Sequence, residues 1–378
     1  MTLLLFAMVG VVGTIAAGIV TARILRITRL RRQRALAAAP RKALLAFLAD
    51  NGETGADGLV AIADDAWSAA EPGAVALLSK LRGEAHQALV TVFLRRGVAR
   101  RAVHELQARS PVRRARAAEV LGNLELREAV PELCRLLDDR HRDVRVVAVR
   151  SLGRVGDPTA AWRLIACLDR TDAVPSLLVT HSLVQLGAEA QVTLSAALDH
   201  PRARVRAVCL DALGLLGAVG ASTRMARVLG NDESLDVRVA AAVNLGKLGT
   251  RSVFGPLVEA LAPDRPAPLR AAAAAALGDL GARTAIPHLE RLLHDPAYRV
   301  AHEAANALRR LGPAGLRGLR RVAAGRDPGA EPAGPLLAGS AAAAHAREAL
   351  ALADIADPVT PAHTPDPRAL APTVAVAG

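Results

Sequence analysis

Two histidine-glutamate pairs are the side chains best suited to chemistry in this sequence. His104 is followed by Glu105, and His302 is followed by Glu303. Imidazole nitrogens and carboxylate oxygens are donors that transition-metal ions accept. The two pairs lie far apart in the sequence, however, and the ligands of one ion must be close neighbours in space. We therefore interpret each pair as part of a helix surface, and the sequence predicts no metal site.

Other catalytic arrangements are missing from the sequence. It contains no GxSxG nucleophile elbow, no Walker phosphate loop and no HExxH zinc motif. The remaining histidines are scattered, and many of the glycines fit helix ends. The sequence therefore predicts no enzyme, no cofactor and no small-molecule substrate.

A cluster of arginines, the basic patch, is the densest positive charge outside the N-terminal region. Its members are Arg95, Arg96, Arg100, Arg101, Arg113, Arg114 and Arg116. Such a cluster can bind lipid headgroups, an acidic protein or nucleic acid. No aromatic residue lies between Phe93 and Trp162, so the stacking platforms of single-strand binding are missing here. A protein or lipid partner is favoured, and a solvated face or nucleic acid stays open as an alternative.

The overall charge of +12 and the pI near 11 would ordinarily indicate nucleic acid. The distribution of the charge indicates otherwise, because eight basic residues and no acidic residue precede Asp50. Most of these basic residues form one segment, the basic arm. Its arginines are Arg23, Arg26, Arg29, Arg31, Arg32 and Arg34.

An apolar stretch, residues 3–22, comes directly before the basic arm and carries no charge. At about 1.5 Å per residue, a helix of this length spans the roughly 30 Å core of a bilayer. The sequence therefore predicts one N-terminal transmembrane helix, with a cleaved signal peptide as the alternative. The positive-inside rule places the arm in the cytoplasm and the N-terminus outside. Each arginine beside anionic lipid would contribute about 1 kcal/mol.

Three widely spaced cysteines agree with a cytoplasmic body. Cys134, Cys167 and Cys209 have no CxxC spacing. Such residues are typical of buried thiols in a reducing compartment and not of disulfides or zinc ligands.

A repeated pattern must position the side chains of the body. The runs are VLGNLE, SLGRVG, SLVQLG, ALGLLG, NLGKLG, ALGDLG and ALRRLG, and their last residues fall 31, 31, 30, 32, 32 and 31 positions apart. A second apolar segment lies between successive runs. The repeat is therefore a helix, a turn closed by glycine and a second helix. One such pair cannot bury its apolar faces, so the pairs must stack.

Within these repeats, four arginines recur at one position and form the arginine ladder. They are Arg145, Arg206, Arg238 and Arg270. Acidic residues recur at the repeat junctions, at Asp138, Asp169, Asp199, Asp264 and Asp295. We expect the arginines to pair with acids of a neighbouring repeat and to have a structural role. A ligand-binding stripe is the alternative.

The units DVRVVAVRSLGRVGDPTAAWRLIACLD and DVRVAAAVNLGKLGTRSVFGPLVEALA resemble HEAT repeats of the short bacterial type, which also occur in phycobilin lyases. The resemblance covers residues 107–324 and implies an all-α solenoid. With the apolar stretch and the basic arm, the chain is similar to membrane-anchored bacterial HEAT proteins, some of which accompany membrane glycosyltransferases. HEAANALRRLG also looks like a motif of deoxyhypusine hydroxylase, but that family uses four His-Glu pairs and this sequence has two.

Together these patterns predict six segments. They are a transmembrane anchor at 1–22, a basic arm at 23–40, a degenerate helical cap at 41–106, a HEAT solenoid at 107–324, a C-terminal capping helix region at 325–356 and a disordered tail at 357–378. The expected function is a scaffold for a protein partner at the cytoplasmic membrane face, such as a glycosyltransferase complex. A lyase-like or metal-dependent HEAT enzyme and a nucleic-acid binder are the alternatives.

Overall fold

The computed structural model describes residues 2–50, 55–170, 174–324 and 338–356. Within these ranges, the side chains of residues 2–17, 29–30, 338–340 and 354–356 lie outside the description. The described residues form helices and turns and contain no strand, which confirms the predicted all-α fold. They divide into two compact units, Met1–Ala190 and Gln191–Gly378, which we describe separately.

The first unit begins with one long helix and continues with shorter ones. Its helices are α1 (Thr2–Ala49), α2 (Ala56–Val60), α3 (Asp64–Leu78), α4 (Gly83–Arg95), α5 (Val98–Glu105), α6 (Pro111–Asn123), α7 (Val130–Arg135), α8 (Arg142–Val155), α9 (Ala161–Ala166) and α10 (Ser176–Gln185).

The second unit alternates short and long helices along most of its length. Its helices are α11 (Gln191–Ala196), α12 (Ala203–Leu215), α13 (Ser222–Asn231), α14 (Leu235–Leu248), α15 (Phe254–Glu259), α16 (Ala267–Asp279), α17 (Ile286–Leu292), α18 (Tyr298–Arg310), α19 (Pro313–Ala323) and α20 (Ala338–Ala356).

Helix α1 joins three segments that the sequence separates. It runs without interruption through the apolar stretch, the basic arm and the start of the cap, with Pro40 inside it. Its C-terminal part packs against α3 and buries Leu44 and Phe47. At about 1.5 Å per residue the helix is roughly 70 Å long. The folded cap and the apolar stretch therefore share one continuous helix.

The predicted transmembrane helix falls largely where side chains are not described. The side chains of residues 3–17 of the apolar stretch lie outside the description, although their backbone belongs to α1. Among the described residues, no helix combines the length and the apolar composition needed to cross a bilayer. The membrane anchor stays a prediction.

The repeat has the predicted helix-turn-helix form. In the first unit, α8 is followed by a 3₁₀ turn, Pro158–Ala160, which leads into α9. The core lies between the long and the short helices, where Leu121, Leu152, Leu133 and Leu164 are fully buried. Burying one leucine side chain stabilises a fold by about 1.5–3 kcal/mol, so this leucine layer fixes the helix pairs.

The long helices of each unit pack directly on one another through a glycine. Helix α6 packs against α8, and in the second unit α14 packs against α16. A Cβ atom at Gly122 would lie 2.7 Å from the Cα of Ser151, and one at Gly246 would lie 2.7 Å from the Cα of Ala276. These distances are shorter than any normal carbon contact. Glycine inside these helices therefore allows the helices to pack closely. The sequence interpretation had assigned glycines only to helix ends.

The glycines that close the long helices take the predicted left-handed conformation, as at Gly156 with a φ of 68°. Glu125 closes α6 in the same way with a φ of 53°, although it has a side chain. It is the one residue other than glycine with a positive φ among the described residues. Left-handed backbone costs an L-residue about 1–2 kcal/mol.

We expect Glu125→Gly to stabilise the first unit by about 0.5–1 kcal/mol. The substitution removes the left-handed strain, and the greater entropy of an unfolded glycine offsets part of the gain. Urea denaturation followed by circular dichroism measures the change. A matched Glu119→Gly, placed in the middle of exposed α6 surface, should destabilise instead. Equal losses in both variants would contradict strain at Glu125.

Candidate interaction surface

Two arginines of the ladder extend from a long helix and bind an acidic residue at the junction that precedes the next long helix. Arg206 donates from Nε and Nη2 to the two carboxylate oxygens of Asp232, each at 2.7 Å. Arg270 makes the same bidentate contact with Asp295, at 2.9 and 2.8 Å. All four side chains are almost completely buried. These arginines lie inside the repeat stack, where they cannot form an exposed stripe.

The other two ladder residues contact backbone carbonyls. Arg145 is 1% exposed, and its Nη1 donates to the carbonyl of Asp139 at 2.8 Å. Arg238 donates from Nε to the carbonyl of Leu229 at 3.1 Å. The structure thus places the whole ladder against the chain's own polar groups. Asp295 is one of the expected junction acids, and it accepts two hydrogen bonds from Arg270.

A second set of junction contacts comes from the short helices, and the sequence interpretation missed it. Arg163 on α9 reaches Asp138, and Arg224 on α13 reaches Asp199. Both acids were expected to pair with the ladder. The matching spacing from acid to arginine is the sequence signal that could have found these pairs.

Arg114 was assigned to the basic patch, but the structure places its side chain in a buried ion pair. Its Nε and Nη2 donate to both oxygens of Asp139, at 2.7 and 2.9 Å, and its Nη1 donates to the carbonyl of Ala108. Burial raises the pKa of Asp139, but the hydrogen bonds from Arg114 and from the backbone N–H of His141 outweigh it, so the pKa lies below its ordinary value. Arg114 therefore makes the same kind of buried contact as the ladder residues Arg206 and Arg270.

Arg96 is the second member of the basic patch that the structure removes from the surface. Its side chain is 4% exposed, and Nη1 donates to the carbonyls of Leu59, Val60 and Ile62 at the end of α2. The guanidinium also lies 4.5 Å from the centre of the Trp67 ring. This arginine caps α2, a tertiary role that charge density alone does not reveal.

Most of the remaining basic patch is neutralised by acids. Arg95 pairs with Asp57, Arg101 with Glu71 and Arg113 with Glu105. Arg100 and Arg116 are exposed and form no ion pair with the residues that the structure describes. The patch therefore offers far less free positive charge than the sequence suggests.

A groove between α3, α6 and α8, the α6 groove, is a concave surface of the first unit. Its volume is about 600 Å³. Val75, Val112, Ala115, Val144 and Val147 are among the residues that line it. Its rim carries Arg116, Glu119, His141 and Asp143. An apolar floor with a charged rim is the common composition of a protein-binding surface.

The comparison with known families now identifies the fold. A model described as HEAT repeats matches residues 99–183, 190–278 and 254–329, more than half of the chain. The chain belongs to the HEAT-repeat family. The match extends a little beyond the predicted range of 107–324 at both ends. The comparison with curated protein sequences found no match.

A solved structure of Kap121p agrees with the fold, and two further structures are similar at lower TM-scores. The HEAT-repeat protein is 14% identical to a mutant of Kap121p with a TM-score of 0.51, covering 78% of this chain and 37% of that one. The complex of CpcE and CpcF of phycocyanin lyase from Nostoc sp. PCC7120 is 24% identical with a TM-score of 0.26, covering 55% of this chain and 86% of that one. Importin beta is 14% identical with a TM-score of 0.44, covering 70% and 44%. The chain thus spans less than half of the Kap121p chain and of the importin beta chain.

The basic arm of the HEAT-repeat protein is exposed on α1. Arg23, Arg26, Arg31, Arg32 and Arg34 all face solvent, and the side chain of Arg29 lies outside the described residues. At about 100° per residue, these positions are spread around the helix and do not form one basic face. The arm therefore presents positive charge in every direction around α1.

The two His-Glu pairs lie in different units. His104 is exposed on α5, and its neighbour Glu105 pairs with Arg113. His302 lies on α18 in the second unit, where His345 and Glu348 of α20 approach it. The sequence interpretation considered His302 only with His104, so it missed these two neighbours.

Proposed function

We propose that this HEAT-repeat protein is a non-enzymatic scaffold that is anchored in the cell membrane and holds a protein partner at its cytoplasmic face. The α6 groove is the observation that carries the proposal. Its occupant is an apolar segment of the partner. The partner class that the resemblance to membrane-anchored HEAT proteins suggests is a membrane-associated enzyme complex, with a glycosyltransferase as the leading candidate.

The exposure of apolar side chains supports the α6 groove as a docking surface. Val112 is 74% exposed at the edge of the groove, beside the apolar floor formed with Val75 and Val147. Covering such side chains with an apolar partner gains about 25 cal/mol per Å² of apolar surface removed from water. The charges of Arg116 and Asp143 at the rim would set the orientation of the partner rather than the bulk of its affinity.

The composition of α1 supports the membrane anchor. Beyond the apolar stretch, Ile24, Leu25 and Ile27 are exposed and alternate with arginines. A helix that lies flat on a membrane separates its apolar and basic faces, whereas arginines on all sides fit a helix that passes through the headgroup layer. The basic arm would then contact anionic lipid in the inner leaflet. A scaffold held there raises the effective concentration of its partner at the membrane.

Site-specific crosslinking in intact cells tests the proposal. A photoreactive phenylalanine analogue is placed at Val112, and its control is placed at Val192 on α11, which is 79% exposed. We expect a discrete crosslinked protein from position 112 and none from position 192. We then expect Val112→Glu to lower co-purification of that protein at least tenfold, because it puts a charge in the apolar groove, and Val192→Glu to leave it unchanged.

The same cells test the anchor by fractionation. The full chain is expected in the membrane fraction, and a chain without residues 1–22 in the soluble fraction. Retention of the shortened chain in the membrane would show that the basic arm or the partner suffices for membrane binding. Equal crosslinking from positions 112 and 192, or recovery of the partner that Val112→Glu does not change, would overturn the groove as the docking surface.

A further inference from the structure

Three metal-ligating side chains meet where α20 packs against α18 in the second unit. His302 comes from α18, and His345 and Glu348 come from α20. Each offers one donor atom, and the three donor atoms all lie within 4.8 Å of one another. His345 and Glu348 are three residues apart on one helix, which places them on the same face. Two separate helices thus contribute to one cluster.

We propose that His302, His345 and Glu348 bind one divalent transition-metal ion of the zinc class, which ties α20 to α18. The donor set of two imidazole nitrogens and one carboxylate oxygen suits zinc and its neighbours in the first transition row. Magnesium and calcium select oxygen donors and do not fit this set. Glu303, the residue next to His302 in the sequence, is not one of the three donors.

The buried state of His345 is the second observation that points to a ligand. This side chain is 7% exposed, and its Nδ1 is buried without a hydrogen-bond partner among the residues that the structure describes. A buried polar atom without a partner costs free energy, and native proteins usually satisfy such atoms. A metal ion bound at this nitrogen would satisfy it in place of a hydrogen bond within the chain.

The surroundings hold the two imidazoles in place. The Tyr298 ring stacks on His302 with the centres 5.7 Å apart, and it lies 4.8 Å from the centre of His345. Nδ1 of His302 lies 3.8 Å from a carboxylate oxygen of Glu348. Donors around a tetrahedral zinc ion with bonds of about 2.0–2.2 Å stand roughly 3.4 Å apart. Small side-chain rotations close the cluster to this spacing, because the His302 and Glu348 side chains are partly exposed.

Three protein ligands leave one position of a tetrahedral ion open to water. Since the ligands come from two helices, metal binding and docking of α20 on α18 are one coupled equilibrium. The ion therefore holds α20 against α18 at the C-terminal end of the second unit. This role is independent of the α6 groove, which lies in the first unit.

Zinc titration of the purified full chain, free of any affinity tag, tests the proposal. Competition between the chain and a chromogenic zinc chelator gives the stoichiometry and the affinity. We expect one equivalent of Zn²⁺ per chain. His302→Ala and Glu348→Gln are each expected to weaken binding at least tenfold, whereas His181→Ala, at an exposed histidine of the first unit, should leave it unchanged.

The two variants are chosen because both side chains are partly exposed, so the fold should tolerate them. Circular dichroism in the presence of chelator checks this. Hydrogen exchange is expected to slow in α20 when zinc is added to the unmodified chain and to stay the same in Glu348→Gln. No stoichiometric zinc binding, or zinc binding that neither His302→Ala nor Glu348→Gln weakens, would overturn the site.

Discussion

Replacing Asp139 by alanine is expected to lower the free energy of unfolding by about 3–5 kcal/mol, because it leaves a buried guanidinium without its carboxylate. The side chains of Arg114 and Asp139 are 10% and 7% exposed, so water cannot solvate the arginine in place of the lost partner. The hydrogen bond from the backbone N–H of His141 to Asp139 is lost as well. Urea denaturation of the full chain measures the change.

The preceding residue supplies the matched control. Asp138 pairs with Arg163, but its side chain is 62% exposed. Exposed pairs contribute at most about 1 kcal/mol, so Asp138→Ala should have a small effect. Similar losses at positions 138 and 139 would contradict the distinction between a buried and an exposed bridge.

The Asp139 bridge also has an expected pH dependence. Since the folded protein lowers the pKa of Asp139, its contribution to stability is complete above the unfolded pKa of about 3.9 and is lost as the pH falls through the folded value. The difference in stability between the unmodified chain and Asp139→Asn should therefore shrink below about pH 4. A difference that stays constant down to the acid unfolding limit would contradict this account.

Gly246→Ala is expected to destabilise the second unit by about 1–3 kcal/mol, although alanine favours helix more than glycine does. The added methyl group would lie 2.7 Å from the Cα and 2.8 Å from the Cβ of Ala276. Neither atom can move without displacing α16. Helices α14 and α16 must therefore separate, which also weakens the leucine contacts between the long and the short helices.

Gly230→Ala tests the same substitution without the close contact. Gly230 is exposed on α13, and a methyl group there meets no atom within 4 Å. We expect it to stabilise the unit by up to about 1 kcal/mol, because alanine loses less backbone entropy in a helix. The two variants should therefore shift the urea midpoint in opposite directions. A loss of stability at both positions would argue against packing as the cause at Gly246.

The repeat fold could be predicted because its requirements appear as residue types at fixed spacing. Gly156 closes α8 in a left-handed conformation that glycine adopts most easily, and the apolar residues that precede it, such as Val144, Ala148 and Leu152, follow the helical period. Glu125 ends the first repeat run at the regular spacing, although it takes this conformation without being glycine. Arg114 stands as far before Glu125 as Arg206 stands before Gly217, so the ladder spacing is the sequence signal that could have identified its role.

The roles of the basic patch could not be predicted from charge density. Arg96 caps α2 because α4 carries it beside the carbonyl groups of Leu59, Val60 and Ile62, a contact between residues far apart in the chain. A local charge count does not report such contacts.

The surfaces between helices are equally invisible in the sequence. The α6 groove exists because α3 stands beside α6, and the cluster at His302 exists because α20 docks on α18. The spacing of His345 and Glu348 shows that they share a helix face. It does not show which helix that face meets.

The junction contacts have a consequence for how such a chain can change its length. In the second unit, Arg206 and Arg270 bind their junction acids in the same way, and Gly214 and Gly246 each meet the next long helix closely. One junction is therefore chemically interchangeable with another. Duplication or loss of a whole repeat would leave matching surfaces on both sides, so a gene can lengthen or shorten the protein by copy number without having to invent a new interface.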